Sequence, residues 1–94
     1  MQVSEYVHNA MENLVDDVII SRHLHEHYST DFIDDLVCIS LNRLPSRYIC
    51  FDVDLLSHFG EDEYQELNEQ VRQTVSEVEQ YLLNDPRQHR SRNR

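Results

Sequence analysis

A chain of 94 residues makes one small domain, and at that length a monomer buries only about 60–65% of its unfolded surface. Its apolar fraction of 39% falls below the usual ~45–50% of a globular domain, which points to a thin core and makes a homodimer the expected remedy. Eighteen acids against eight arginines and no lysine give a net charge of −10, which excludes a protein that coats duplex DNA or an anionic membrane.

Ser4 to about His23 reads as a first helix. Ser4 can cap it, and Val7, Met11, Leu14 and Val18 recur at 4-3-4 spacing with Ala10 and Val15 beside them. Glu12, Asp16 and Asp17 fall on the other side. His23 to Thr30 reads as a polar connector. A second helix is expected from about Asp31 to Leu44, with Ser29 or Thr30 as its cap and Asp31 in its first turn. Its apolar residues, Phe32, Ile33, Leu36 to Ile39, Leu41 and Leu44, spread round most of the circumference. Such a helix belongs in the centre of a bundle or at a subunit interface, with Cys38 as a small core side chain. Pro45 ends it, because the residue before a proline resists helical geometry.

Ile49, Phe51, Val53 and Leu55 alternate weakly. They read as a short strand, as an extended linker for want of a second strand, or as a helical turn over Val53–His58. Gly60, the only glycine, marks the break that follows. The last helix runs from about Asp62 to Leu83. There Tyr64, Leu67, Val71, Thr74, Val78 and Tyr81 hold a 3-4 spacing, widened by Val75 and Leu82. Asn84-Asp85-Pro86 stops it. The expected fold class is all-α, with three main helices plus a short helical or extended connector. The domain spans 1–85, and 86–94 reads as a disordered arginine-rich tail that neutralises its own acidic helices. Two isolated cysteines make no disulfide framework, and neither a signal peptide nor an apolar run of about 18 residues is visible. The expectation is a soluble, reduced, cytoplasmic chain.

Chemistry concentrates at Leu41-Asn42-Arg43-Leu44-Pro45-Ser46-Arg47-Tyr48. Between Asp35 and Asp52 the only charged side chains are Arg43 and Arg47, an island of +2 in an acidic body. Guanidinium groups suit two-pronged recognition of phosphate or guanine, and tyrosine offers a stacking face. The plain alternative is a helix stop, with Arg43 capping carbonyls and Arg47 pairing with an acidic neighbour. His23, His25 and His27 form a second cluster, weak candidates for zinc with Glu26, Cys38 or His58 completing the set. Histidines in a polar connector are usually solvated, so no metal or other cofactor is expected. The acidic pairs Asp16/Asp17, Asp34/Asp35 and Asp52/Asp54 single out no acid and base, and no P-loop or metalloprotease motif is present. Catalysis is not expected.

The run from Asp35 to Ile49 resembles the central signature of the late competence protein ComFB family. That signature is an acidic residue, an apolar helix, Leu-Asn-Arg/Lys, a proline and a tyrosine. The likeness extends more loosely to Met11-Glu12-Asn13-Leu14-Val15. It implies a small, helical, dimeric protein without catalytic activity, whose ligand is a cyclic dinucleotide, cyclic di-GMP foremost and cyclic di-AMP second. The residues matching the motif are Asp35, Asn42, Arg43, Pro45, Arg47 and Tyr48. Some relatives carry cysteines in the connector, which would suit zinc; this chain carries histidines there. A receptor of this kind would pass its signal to a downstream protein that the sequence does not name. The other reading is a dimeric helical adaptor in competence or surface-appendage regulation with no small-molecule ligand.

Overall fold

The computed structural model describes residues 7–50 and 55–84. Five helices make up 78% of them, so the fold class is all-α as expected. In chain order the elements are β1 (Val7–Asn9), α1 (Ala10–Ser21), α2 (Leu24–His27), α3 (Thr30–Arg43), β2 (Tyr48–Cys50), α4 (Leu55–Phe59) and α5 (Glu61–Leu83).

α5 is the spine. Its buried residues are Leu67, Val71, Val75, Val78 and Leu82, joined by the carboxylate-bearing Glu79. Val75 and Leu82, read from the sequence only as widening the stripe, are buried, whereas Tyr81, placed on it by the heptad count, is exposed. A straight helix drifts about 20° per heptad, so over three heptads the inward stripe slides off the 3.5-residue positions. α1 lays Met11, Leu14, Val15, Val18 and Ile19 against this spine, and α3 adds Phe32 and Leu36. A buried Val or Leu side chain contributes about 1.5–3 kcal/mol, so this single cluster carries most of the stability available to so short a chain.

The first helix starts later than its hydrophobic pattern predicts. Val7–Asn9 is extended and Val7 is exposed; α1 begins at Ala10, where the Asn9 side chain accepts from the Met11 N–H at 3.2 Å. Ser4, the expected cap, lies outside the described residues. Asn9 sits in the extended region, as an N-cap must, and frees the preceding residues to pair as a strand. They do so with β2, antiparallel, in the register Val7↔Cys50, His8↔Ile49 and Asn9↔Tyr48. The stretch after Pro45 therefore does have a second strand, hidden in what reads as helix. The expected helical turn near 53–58 is also present, as α4. Phe51 and Val53, and the tail 86–94, lie outside the described residues.

α1 ends at Arg22 and His23. The backbone N–H groups of these two residues return to the Val18 and Ile20 carbonyls, and His23 takes the left-handed conformation at φ 59°. The connector that follows contains a single helical turn, α2, with Leu24 buried beneath it. α3 is capped by Ser29, whose Oγ accepts from the Phe32 N–H at 3.1 Å. Its buried stripe is Phe32, Leu36 and Ser40, one residue every four, continued by Leu44. Cys38 is exposed, not a core side chain as expected, because two residues from Leu36 is about 200° of helical rotation. Ser40 takes the inward place with its Oγ fully buried and unpartnered among the described residues. No helix among the described residues is long and apolar enough to cross a membrane.

Candidate functional site

The arginine turn begins where α3 stops. Leu44, extended at ψ 145° and buried, precedes an exposed Pro45, so the chain leaves the helix in a fixed direction. Asn9 then fixes the turn from the other side. Its Oδ1 accepts from the Arg47 N–H at 2.9 Å as well as capping α1, and the Ala10 N–H donates to the Arg47 carbonyl. One buried amide thus ties the start of α1 to the backbone of Arg47. Asn before an apolar run is a cap signal that could have found this residue, but the sequence reading places the cap at Ser4.

The two arginines part company. Arg47 donates from Nη2 to Glu63 Oε2 at 2.9 Å, and its guanidinium stands 4.8 Å above the Phe59 ring. Arg43 stands 5.7 Å above the Tyr81 ring and pairs with no carboxylate among the described residues. Glu63 and Tyr81 are 81 − 63 = 18 residues apart on α5, about 27 Å along its axis. The turn therefore sends one arginine towards each end of the spine. Phe59, Glu63 and Tyr81 are contacts no local motif announces, because they depend on how α3 and the turn cross α5.

The other matched residues lie close by in sequence but differ in exposure. Asn42 is exposed and donates weakly from Nδ2 to Cys38 Sγ at 3.9 Å. Tyr48 is 66% exposed on β2, free to offer a ring face. Asp35 is half-buried, seven residues before Asn42 and so on the same side of α3, and is engaged in contacts of its own.

The connector histidines are exposed. His23 Nδ1 lies 3.3 Å from Glu26 Oε2, and His25 Nε2 lies 3.7 Å from the same oxygen. Among the described residues, no three His, Cys, Asp or Glu side chains converge as metal ligands do. A different cluster is well built. Glu79, almost fully buried, accepts from Arg22 Nη2 at 2.8 Å and from the Tyr28 hydroxyl at 2.7 Å, and Arg22 also reaches Ser76 Oγ at 3.3 Å. Burial first, and the bond to the Glu79 carboxylate second, push the Tyr28 phenol up to about 12. Tyr28 stacks on Phe32 with centroids 4.1 Å apart. This network ties the connector to α5.

No match was found among curated proteins, and none among solved structures. Residues 8–86 match the family model described as late competence development protein ComFB, a span holding the Asn9 cap, the arginine turn and the whole of α5; the chain belongs to the ComFB family.

Proposed function

We propose that this chain is a non-enzymatic receptor module for a cyclic dinucleotide, cyclic di-GMP first and cyclic di-AMP second, acting as a cytoplasmic homodimer. One observation carries the reading. Of the four arginines among the described residues, Arg22, Arg47 and Arg72 each pair with a glutamate, and Arg43 alone does not. In a chain with net charge −10, a guanidinium left without a carboxylate and held over an aromatic ring is suited to an incoming anion or purine.

A cyclic dinucleotide carries two phosphates and two purines in a compact two-fold arrangement. Arg43 can grip a phosphate, or the O6 and N7 of guanine, through its planar fork. Exposed Tyr48 supplies a stacking surface worth about 1–3 kcal/mol per base. Asn42 stands next to Arg43 as a donor and acceptor, and Asp35 lies two turns back on the same side. Arg47 takes a secondary part, because a ligand must share it with Glu63. The bulk negative charge opposes a dianion, so the expected affinity is moderate.

The test is equilibrium binding of cyclic di-GMP, cyclic di-AMP and linear GMP to the full chain. Arg43→Ala is expected to weaken binding about 10-fold to 100-fold, as loss of a charge-assisted hydrogen bond does, and Arg47→Ala less. Binding unchanged in Arg43→Ala overturns the reading. A ligand at 100 times its Kd stabilises the fold by about 2.7 kcal/mol, so a thermal melt flat across all three nucleotides would favour the ligand-free adaptor instead.

A further inference from the structure

α4 is short, and three of its five residues are large and apolar, yet it buries none of them completely. Leu55 and Phe59 rest half-buried on the core, and Leu56 points outward, 46% exposed. Beside it, α5 presents Glu61, Tyr64, Gln65, Asn68, Glu69 and Arg72, spaced by threes and fours so that they form one stripe. Leu56 and this stripe enclose an open cleft of about 430 Å³. The stripe runs 72 − 61 = 11 residues, about 16 Å, the length of three turns of a docked helix.

The lining sets two apolar or aromatic side chains among five polar or charged ones. Leu56 and Tyr64 give it apolar contact area, and the Gln65 and Asn68 amides give it donors and acceptors. Its charge is one-sided. Arg72 is neutralised by Glu69 at 3.2 Å, while Glu61 has no basic partner among the described residues, and Asp62 and Glu66 are exposed on the same helix outside the lining. An anionic ligand is repelled here. A second copy seated here through an acidic face of its own would set like charges together, so the homodimer proposed above is expected on another face.

We propose that this cleft docks a cationic amphipathic segment of a partner protein. An apolar side chain seats between Leu56 and Tyr64, and a lysine or arginine lies beside Glu61. The site is separate from Arg43, whose ring partner Tyr81 is nine residues beyond Arg72 on α5. Its wall is nevertheless held by the arginine turn, since Arg47 covers Phe59 of α4 and pairs with Glu63 of α5. The same turn thus abuts the proposed ligand site at one end and braces the docking cleft at the other.

The experiment is fluorescence anisotropy of the full chain, without nucleotide, so its outcome is independent of the receptor reading. The probe is a labelled helical peptide with leucines at i, i+3, i+4 and i+7 and arginines elsewhere, compared with its glutamate counterpart. The arginine peptide is expected to bind and the glutamate peptide is not. Leu56→Asp decides the matter: it adds negative charge, so unspecific attraction would tighten, whereas seating in the cleft weakens about tenfold. Glu61→Gln, a milder change, is expected to weaken binding several-fold, and circular dichroism checks that both variants stay folded. Binding unchanged or tighter in Leu56→Asp, or equal binding of the two peptides, overturns the proposal. So does a change of oligomeric state in Leu56→Asp by light scattering, which would show that a second copy covers this face.

Discussion

Arg22 and Arg43 both reach the C-terminal part of α5, and they meet it in opposite ways. Arg22 finds Glu79, a carboxylate only 7% exposed that already accepts from Tyr28. Arg43 finds only the ring of Tyr81, itself open to solvent. The first arrangement locks three segments together and leaves no charge to spare. The second leaves at the surface a cation that no carboxylate of the described residues neutralises. Arg47 and Arg72 fall between, with glutamate partners that are themselves partly or largely exposed. What an arginine does in this molecule follows from how deeply its partner is buried.

The largest break in that comparison is Glu79→Ala. It strands the Tyr28 hydroxyl and removes the partner of Arg22, although Arg22 is exposed enough to rehydrate. The expected loss is about 2–3 kcal/mol, or roughly 10–20 °C in Tm for a domain of this size, read by thermal denaturation. Nucleotide binding should not change.

The same network gives an alkaline signature. The Tyr28 phenol has its ordinary value near 10.0 in the unfolded chain and about 12 in the folded one. Its folded value is raised, so the stability it contributes is complete below pH 10 and is lost as pH climbs through about 12. Denaturation at rising pH should therefore show the native chain losing stability relative to Tyr28→Phe across that window. A constant difference between the two would mean that the hydroxyl is not held by Glu79.

These two regions were unequally legible in the sequence. The helices could be read because Leu67, Val71 and Val78, or Phe32 and Leu36, repeat with the period of a buried face. The arginine turn could be located because Pro45 and an isolated pair of charges are local facts. The Arg22–Glu79–Tyr28 network could not, since its members are 57 and 51 residues apart, and a carboxylate at Glu79 on the apolar face of α5 does not by itself name its partners. β1 was hidden for a related reason. Val7 fits the helical spacing, and only the combination of the Asn9 cap with a partner forty residues away makes it a strand. Local pattern specifies which face is apolar, and long-range pairing decides which polar residues are used.

Arg47→Ala tests the middle of the series. Its pair with Glu63 is partly exposed and worth a few tenths of a kcal/mol to 1, and its seat over Phe59 adds about 0.5–1. The turn itself should survive, because Asn9 holds the Arg47 backbone, not its side chain. The expected fall is about 1 kcal/mol, some 4–8 °C in Tm. A loss as large as that of Glu79→Ala would show that α4 depends on this arginine for its place.

Arg43→Ala should do least to the fold and most to the ligand. The side chain is exposed, contributes a favourable charge at the C-terminus of α3 worth about 0.3–1 kcal/mol, and has one ring contact. Both effects are screened by solvent, so the change in stability should stay within about 0.5 kcal/mol, or a few degrees in Tm. Arg43→Lys keeps the charge and loses the planar fork, so it should restore stability while leaving nucleotide binding impaired. If Arg43→Ala instead melts as early as Glu79→Ala, its guanidinium belongs to the scaffold, and the contrast between the two arginines no longer separates holding the fold from holding a ligand.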